Sequence, residues 1–386
     1  MKLAIVGAGM AGVAAAHAAV AQGAQVSLFH GPAGASALFS GALDFDPEAR
    51  SGETVALTPE LAAFVGALGH FRVGSAPCVI ATAQGNVRRA RGRDAALLDL
   101  AALGGKRVAL ADLGRDDWDA TLLAKSYAAS TWAADTRTRF EAVPVAGLKS
   151  GSERRIAPFD LAALHDQPER VDFLATALAS VRAQPDAWLL GPWLGIEREV
   201  AAELAQRLAV PVGEAASQPG GAAGARFELN RDRWFAKSQV LVRRERVARV
   251  EARGAGFVLQ GEREPLGEFS AVVLAIGGVA SGGVALGSHH GVNGAAFHLS
   301  LAAPVVIELD AQIADVSSLA TIDFAARGVG VLERVGVRAE ASGAAYGAPG
   351  LFVAGDTLSA RPRSALSAAS SGAVAAHSAL AYLRAA

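Results

Sequence analysis

Residues 5–12 read IVGAGMAG, and "KLAIV" (2–6) runs into them. A short apolar run that stops at glycine is the pattern of a buried parallel strand. Gly7, Gly9 and Gly12 make Gly-x-Gly-x-x-Gly. The first glycine permits a tight turn, the second lets a phosphate approach the backbone, and the third lets helix and strand pack closely. "AGVAAAHAAVAQG" then reads as a helix ending near Gly23, and "AQVSLF" (24–29) as a second strand. Strand, glycine turn, helix, strand is the first unit of a doubly wound sheet. Such a helix offers its first N–H groups, around Met10 and Ala11, to a pyrophosphate.

The end of the second strand departs from the pattern. In "QVSLFHGPAGAS" (25–36) His30 stands where Asp or Glu ordinarily takes the adenosine ribose. A neutral imidazole has one donor and one acceptor, so it replaces part of that grip at most. Three outcomes are open: a dinucleotide held without its usual clamp, something smaller that needs no adenosine site, or an empty turn. A dinucleotide is the expectation, with Val247, in a hairpin over 247–250, flanking adenine.

The chain has 386 residues, more than one core usually holds, so two domains are expected. With 52% apolar and 19% charged residues it is not disordered. A net charge of −1 points to neither nucleic acid nor a polybasic membrane surface. The single cysteine, Cys78, excludes an intrachain disulfide, an Fe–S cluster and a cysteine-rich zinc site; it reads as a small buried residue. No apolar run reaches the ~18 residues of a membrane span. The N-terminal run is read as fold rather than leader, which makes a cytoplasmic location the expectation.

Further on, "DAALLDLAAL" (94–103), residues 170–184 and residues 197–209 have helical spacing. "KRVALADL" (106–113) and "DAWLLGPWLG" (186–195) read as strands, and "SQPGGAAGAR" (217–226) as a flexible loop. Residues 246–261 read as two strands about a glycine turn. "EFSAVVLAIGGVASGG" (268–283) and "PGLFVAGDT" (349–357) are apolar runs ending in glycine, and an Ala/Ser-rich helix covers about 364–384. The fold class is therefore α/β: a discontinuous Rossmann-like FAD/NAD(P)-binding domain from 1–75, 242–285 and 340–386. An inserted second α+β domain, for substrate or partner, would come from 76–241 and 286–339.

The glycine turn with two later strands ending in Gly277-Gly278 and Gly355-Asp356 resembles the two-dinucleotide-binding-domain flavoproteins. "GASALFSGALDF" (34–45), "LLGPWLGIE" (189–197), "LAIGGVASGGVAL" (274–286) and residues 350–380 are similar to the B-type subunit of anaerobic glycerol-3-phosphate dehydrogenase. The resemblance implies that Gly355 and Asp356 sit at the flavin ribityl chain, with the next helix aimed at the isoalloxazine. It also implies one component of a multi-subunit dehydrogenase. A second flavoprotein would oxidise the substrate, and an Fe–S subunit would pass electrons towards membrane quinone. Membrane contact would come only through those partners.

The candidate cofactor contacts beyond the glycines are Ser36, Ser40, Gly41 and Ser364. Arg363, with Arg361 near it, falls between Asp356 and the last helix, where a guanidinium would favour an anionic reduced flavin or an anionic substrate. His290, with His289 beside it, is the candidate acid or base; His298 reads as structural. Trp188 and Trp193 are read as core or interface, with stacking on flavin the lesser alternative. The expected activity is flavin-dependent oxidoreduction. A flavin-free assembly subunit of the same fold and a stand-alone flavin oxidase are the alternatives.

Overall fold

The computed structural model describes residues 2–31, 33–45, 56–182, 184–217, 221–291, 294–301, 336–359 and 361–385, with backbone alone over 285–301. Most of the expected segment 286–339 thus lies outside the described residues.

Five parallel strands form the central sheet, in the order Leu241–Arg243, Val26–Phe29, Leu3–Val6, Ala271–Leu274 and Leu351–Val353. The three inner strands carry almost no polar residue because both sheet faces are covered. Leu3, Ile5, Leu28 and Val273 face a core shared with the helices Met10–Ala21 and Ala365–Ala385. Their neighbours Ala4, Val6, Phe29, Val272 and Leu274 face the opposite way. They meet an antiparallel meander, Arg249–Arg253, Gly256–Gln260 and Pro265–Phe269. The result is three layers: helices, parallel sheet, meander.

The alanine richness has a structural reason here. The first and last helices pack with their backbones nearly touching: a Cβ on Gly372 would lie 2.1 Å from the Ala11 carbonyl oxygen. Only Gly, Ala and Ser fit along such a seam, and both helices are built of them.

The insert carries a second, wholly parallel sheet in the order Val212–Glu214, Ala187–Leu190, Arg107–Asp112, Arg139–Pro144. Short antiparallel pairs accompany it, among them Cys78–Ala81 with Val87–Ala90. Its core holds Trp118, Tyr127, Trp188 and Trp193, all essentially inaccessible to solvent. Among the described residues no helix is long and apolar enough to cross a membrane.

Two segments differ from their sequence reading. Residues 94–103 are irregular rather than helical, although Leu97, Leu98, Leu100 and Leu103 are buried as a helix would bury them. The aspartates divert the backbone: Asp94 accepts from the Ala96 N–H (2.8 Å), and Asp99 from those of Val79 (3.1 Å) and Ala101 (3.0 Å). The glycine-rich 217–226 is not a loop throughout, because a 16-residue helix, Ala222–Lys237, begins inside it. Gly224 is needed where that helix crosses the 3-10 turn Ala35–Leu38; a Cβ would lie 1.9 Å from the Ala37 oxygen. This helix puts Ala222 in the insert's core and Phe227 and Phe235 in the first core. It bridges two bodies that the sequence reading separated at residue 241.

Candidate functional site

The glycine turn lies between the first strand and the first helix, and each glycine has its own reason. Gly7 adopts φ +113°, and a side chain there would strike the Ala275 carbonyl at 2.1 Å. A Cβ on Gly12 would strike the Gly7 oxygen at 1.9 Å, so only glycine lets the helix sit this close to its strand. Gly9 opens into the cleft. Its missing Cβ would point at the Ser36 hydroxyl, 3.0 Å away. The Met10 N–H, at the helix N-terminus, donates to that hydroxyl (2.9 Å). A bare floor, an N-terminal helix end and a hydroxyl above it form a cradle for phosphate.

From this turn an open cleft of about 1320 Å3 runs towards His30 on one side and Asp356 on the other. On the His30 side it is bordered by Val247 and by Arg244, Arg246 and Arg263. The His30 ring nitrogen Nδ1 lies 3.0 Å from the Gly31 carbonyl oxygen. Burial lowers its pKa below the ordinary imidazole value, so the ring is neutral near pH 7.

On the other side, Gly355 adopts φ +65° with Ala11 close against it, and its N–H donates to the Ser371 hydroxyl (2.8 Å). Asp356 is the next residue; burial raises its carboxyl above the usual carboxylate range, with Arg363 opposing. Arg363 Nη1 lies 3.9 Å from Asp356 Oδ1 and donates to the Asp356 and Leu358 carbonyls. The Gly277 N–H donates to the Thr357 hydroxyl (2.9 Å), which ties the two strand-end turns together. Ser364 donates to the Phe45 carbonyl at the entry to the last helix.

The structure therefore brings Gly7, Gly9, Met10 and Ala11 together with His30 and Ser36. Val247, Gly277, Gly355, Asp356, Arg363 and Ser364 line the same cleft. Gly12 lies beneath its floor, and Gly278 backs on to Asp356, whose carbonyl oxygen a Cβ there would approach to 2.9 Å.

Ser40 and Gly41 are corrections: neither lines the cleft. The Ser40 hydroxyl accepts from Ala42 N–H (3.4 Å), and Gly41, at φ +98°, packs against Leu97 of the insert. They build a turn between the two bodies. Trp188 and Trp193 stand in the insert's core, so the stacking role falls away. Arg361 is exposed. Cys78 is buried, its thiol pushed up to about 11 by burial. His289 and His290 fall in the strand Val284–Gly291 and His298 in its partner Gly294–Leu301; their side chains lie outside the described residues.

Sequence reasoning missed the helix 222–237 as a wall of the site. Glu228, Arg231 and Asp232 all line the cleft. Their spacing of three and four residues puts them on one helix face, but it does not say which cleft that face borders. Arg231 is nearly buried and donates to the Ala8 carbonyl (3.3 Å), inside the glycine turn.

No family model matches the chain, and no curated protein matches it. Solved structures similar to it include glycine oxidase from Geobacillus kaustophilus, at 14% identity and TM-score 0.36, covering 98% of this chain and 95% of that one. Thioredoxin reductase from T. acidophilum matches at 13% identity and TM-score 0.24, over 99% of this chain and 98% of that one. For 3-ketosteroid delta1-dehydrogenase from Sterolibacterium denitrificans the identity is 14% and the TM-score 0.29, over 72% of this chain. The chain spans 47%, about half, of that dehydrogenase's length. Identity this low says nothing of substrate.

Proposed function

We propose that this chain is a flavin-dependent oxidoreductase that binds FAD without a covalent bond. One observation carries the reading: the Gly7–Gly12 turn and the Gly355–Asp356 strand end, from opposite ends of the sequence, meet in one cleft. The residues fit the cofactor, since Gly9 leaves open the space a phosphate needs and the cleft continues past it in both directions. Bound flavin would supply two-electron chemistry together with one-electron return. The chain's own groups would hold it: the first helix end at the pyrophosphate, Asp356 at the ribityl hydroxyls. Arg363 and the N-terminal end of the last helix add positive potential near Asp356. Denaturing the purified protein and weighing the released cofactor tests this. FAD is expected; FMN alone would overturn the dinucleotide assignment, and no flavin would leave an assembly subunit of the same fold.

The finer reading is one component of a multi-subunit dehydrogenase, supported by the resemblance to the B-type subunit of anaerobic glycerol-3-phosphate dehydrogenase. The single cysteine fits it, because an Fe–S relay would then reside in a partner. Co-purification with a second flavoprotein or an Fe–S protein is expected. Rapid reduction of membrane quinone by this chain alone would rule that reading out in favour of a self-sufficient enzyme.

A further inference from the structure

The second strand ends without a carboxylate, yet one stands in the same part of the cleft. We infer that Asp232, on the helix Ala222–Lys237, takes over the adenosine-ribose contact that His30 cannot make, with Arg231 beside it at the pyrophosphate. This rests on the flavin reading above.

Three observations converge on it. First, Arg231 and Asp232 line the same cleft as His30, Val247 and the glycine turn. Second, the pair is held in place. Arg231 is nearly buried, and its Nη1 reaches both the Ala8 carbonyl and Glu228 at 3.3 Å. Its Nε donates to Asp232 Oδ1 at 2.8 Å, which fixes the carboxylate beside the turn. Third, among the described residues the other oxygen, Oδ2, pairs with Arg244 Nη2 at 3.4 Å, and that arginine is 77% exposed. An exposed side chain can swing away and free an acceptor for a ribose hydroxyl at little cost. The His30 backbone N–H donates to the carbonyl of Arg243 (3.1 Å), the residue before Arg244, which sets the Arg244–Asp232 pair beside the strand end.

The chemistry matches the ligand in both parts. A ribose hydroxyl is held best by an anionic acceptor, which the carboxylate supplies through Oδ2 with Oδ1 still on Arg231, and which a neutral imidazole is not. A pyrophosphate favours a guanidinium near the helix end. The bridging helix would thus carry the adenosine end of the site, so that cofactor affinity depends on how the insert sits on the first body.

The test compares FAD with FMN, titrated into apo-protein and followed by flavin fluorescence, for wild type, Asp232→Ala, and Asp232→Ala combined with His30→Glu. Asp232→Ala is expected to weaken FAD roughly ten- to a hundredfold, the loss of one clamp, and to leave FMN unchanged. Returning a carboxylate at the strand end should restore FAD in the double variant. Equal weakening of FAD and FMN would mean a merely structural role, and unchanged FAD affinity would remove Asp232 from the site; either overturns the inference while the flavin reading stands. Wild type that binds FMN alone also sinks it. Wild type that binds neither flavin brings down the flavin reading first, and this inference with it. The melting temperatures of the variants show that each is folded.

Discussion

At Gly9 a missing side chain is the functional feature. Its Cβ would meet the Ser36 hydroxyl at 3.0 Å, in the space a phosphate would take. Gly9→Val should therefore abolish flavin binding while the fold survives, because φ at this position is −76°, which any residue adopts. Full flavin content in folded Gly9→Val protein would refute the cradle. Arg363→Ala tests the other end. It should lower the flavin reduction potential, since positive charge near the ring favours the reduced anion. An unchanged potential would make Arg363 a clamp for the Asp356 and Leu358 carbonyls and nothing more. A third residue, His165, is buried in the insert, with Nδ1 2.8 Å from the Trp193 carbonyl oxygen. Burial lowers its pKa to about 4. The unfolded chain takes up the proton near pH 6.5 and the folded one only near 4. Stability is thus full above pH 6.5 and falls as pH drops through that window, by about 3 kcal/mol in all. His17 and His70, also lowered by burial, add to the same slope. His165→Asn keeps a donor for the carbonyl and removes the titration, so its urea midpoint should vary less between pH 6.5 and 4 than that of wild type.

Among the elements, the seam between the first and last helices sets the position of the phosphate turn. Gly372 faces the Ala11 carbonyl, so even Gly372→Ala forces the helices apart; a loss of about 1–3 kcal/mol in denaturant unfolding is expected. Weaker flavin binding should accompany it, because Ala11 belongs to the turn. A variant as stable as wild type would mean that the seam has slack. This seam also shows what the sequence made legible. Apolar runs ending in glycine gave away Leu3–Val6, Ala271–Leu274 and Leu351–Val353, because period and punctuation are local properties. The glycine roles followed from the same stretch. Residues 94–103 misled because their apolar spacing is helical, while the aspartate side chains that capture the backbone act through tertiary partners such as Val79. Ser40 and Gly41 misled because a Ser-Gly turn reads alike whether it faces a cofactor or Leu97. The helix 222–237 was hidden by the glycine-rich run at its start, where Gly224 answers to a contact with Ala37 nearly two hundred residues away. Asp232 went unseen for the same reason: no local pattern says which cleft a helix face will border.

Across the whole molecule, one buried ion cluster ties the bridging helix to the second sheet and to the short strand Gly92–Asp94. Arg226, on the bridging helix, donates Nε to Asp94 (2.9 Å), Nη2 to Glu214 (2.5 Å) and Nη1 to the Gly195 carbonyl (2.7 Å). Asp94 ends the short strand Gly92–Asp94, and its N–H donates to the Gly41 carbonyl (2.7 Å) in the turn between the bodies. Glu214 ends the edge strand of the second sheet and accepts the Leu194 N–H. All three side chains are almost wholly buried. Burial pushes the Glu214 carboxyl above the usual carboxylate range, with Arg226 and the Leu194 N–H opposing. Arg226→Met would keep the volume and leave two carboxylates without their cation, at a cost of about 3–5 kcal/mol near pH 7.5. Removing the guanidinium takes away the main opposition to that rise, so folded Glu214 takes up its proton at still higher pH than in wild type. Protonation then favours folding, and the deficit relative to wild type shrinks as pH falls towards 5. The His165 slope is common to both proteins and cancels in the difference. Urea unfolding of both at pH 7.5 and pH 5 measures it. A deficit that is the same at both values would mean that Arg226 joins the bodies by packing, with its charge contributing nothing.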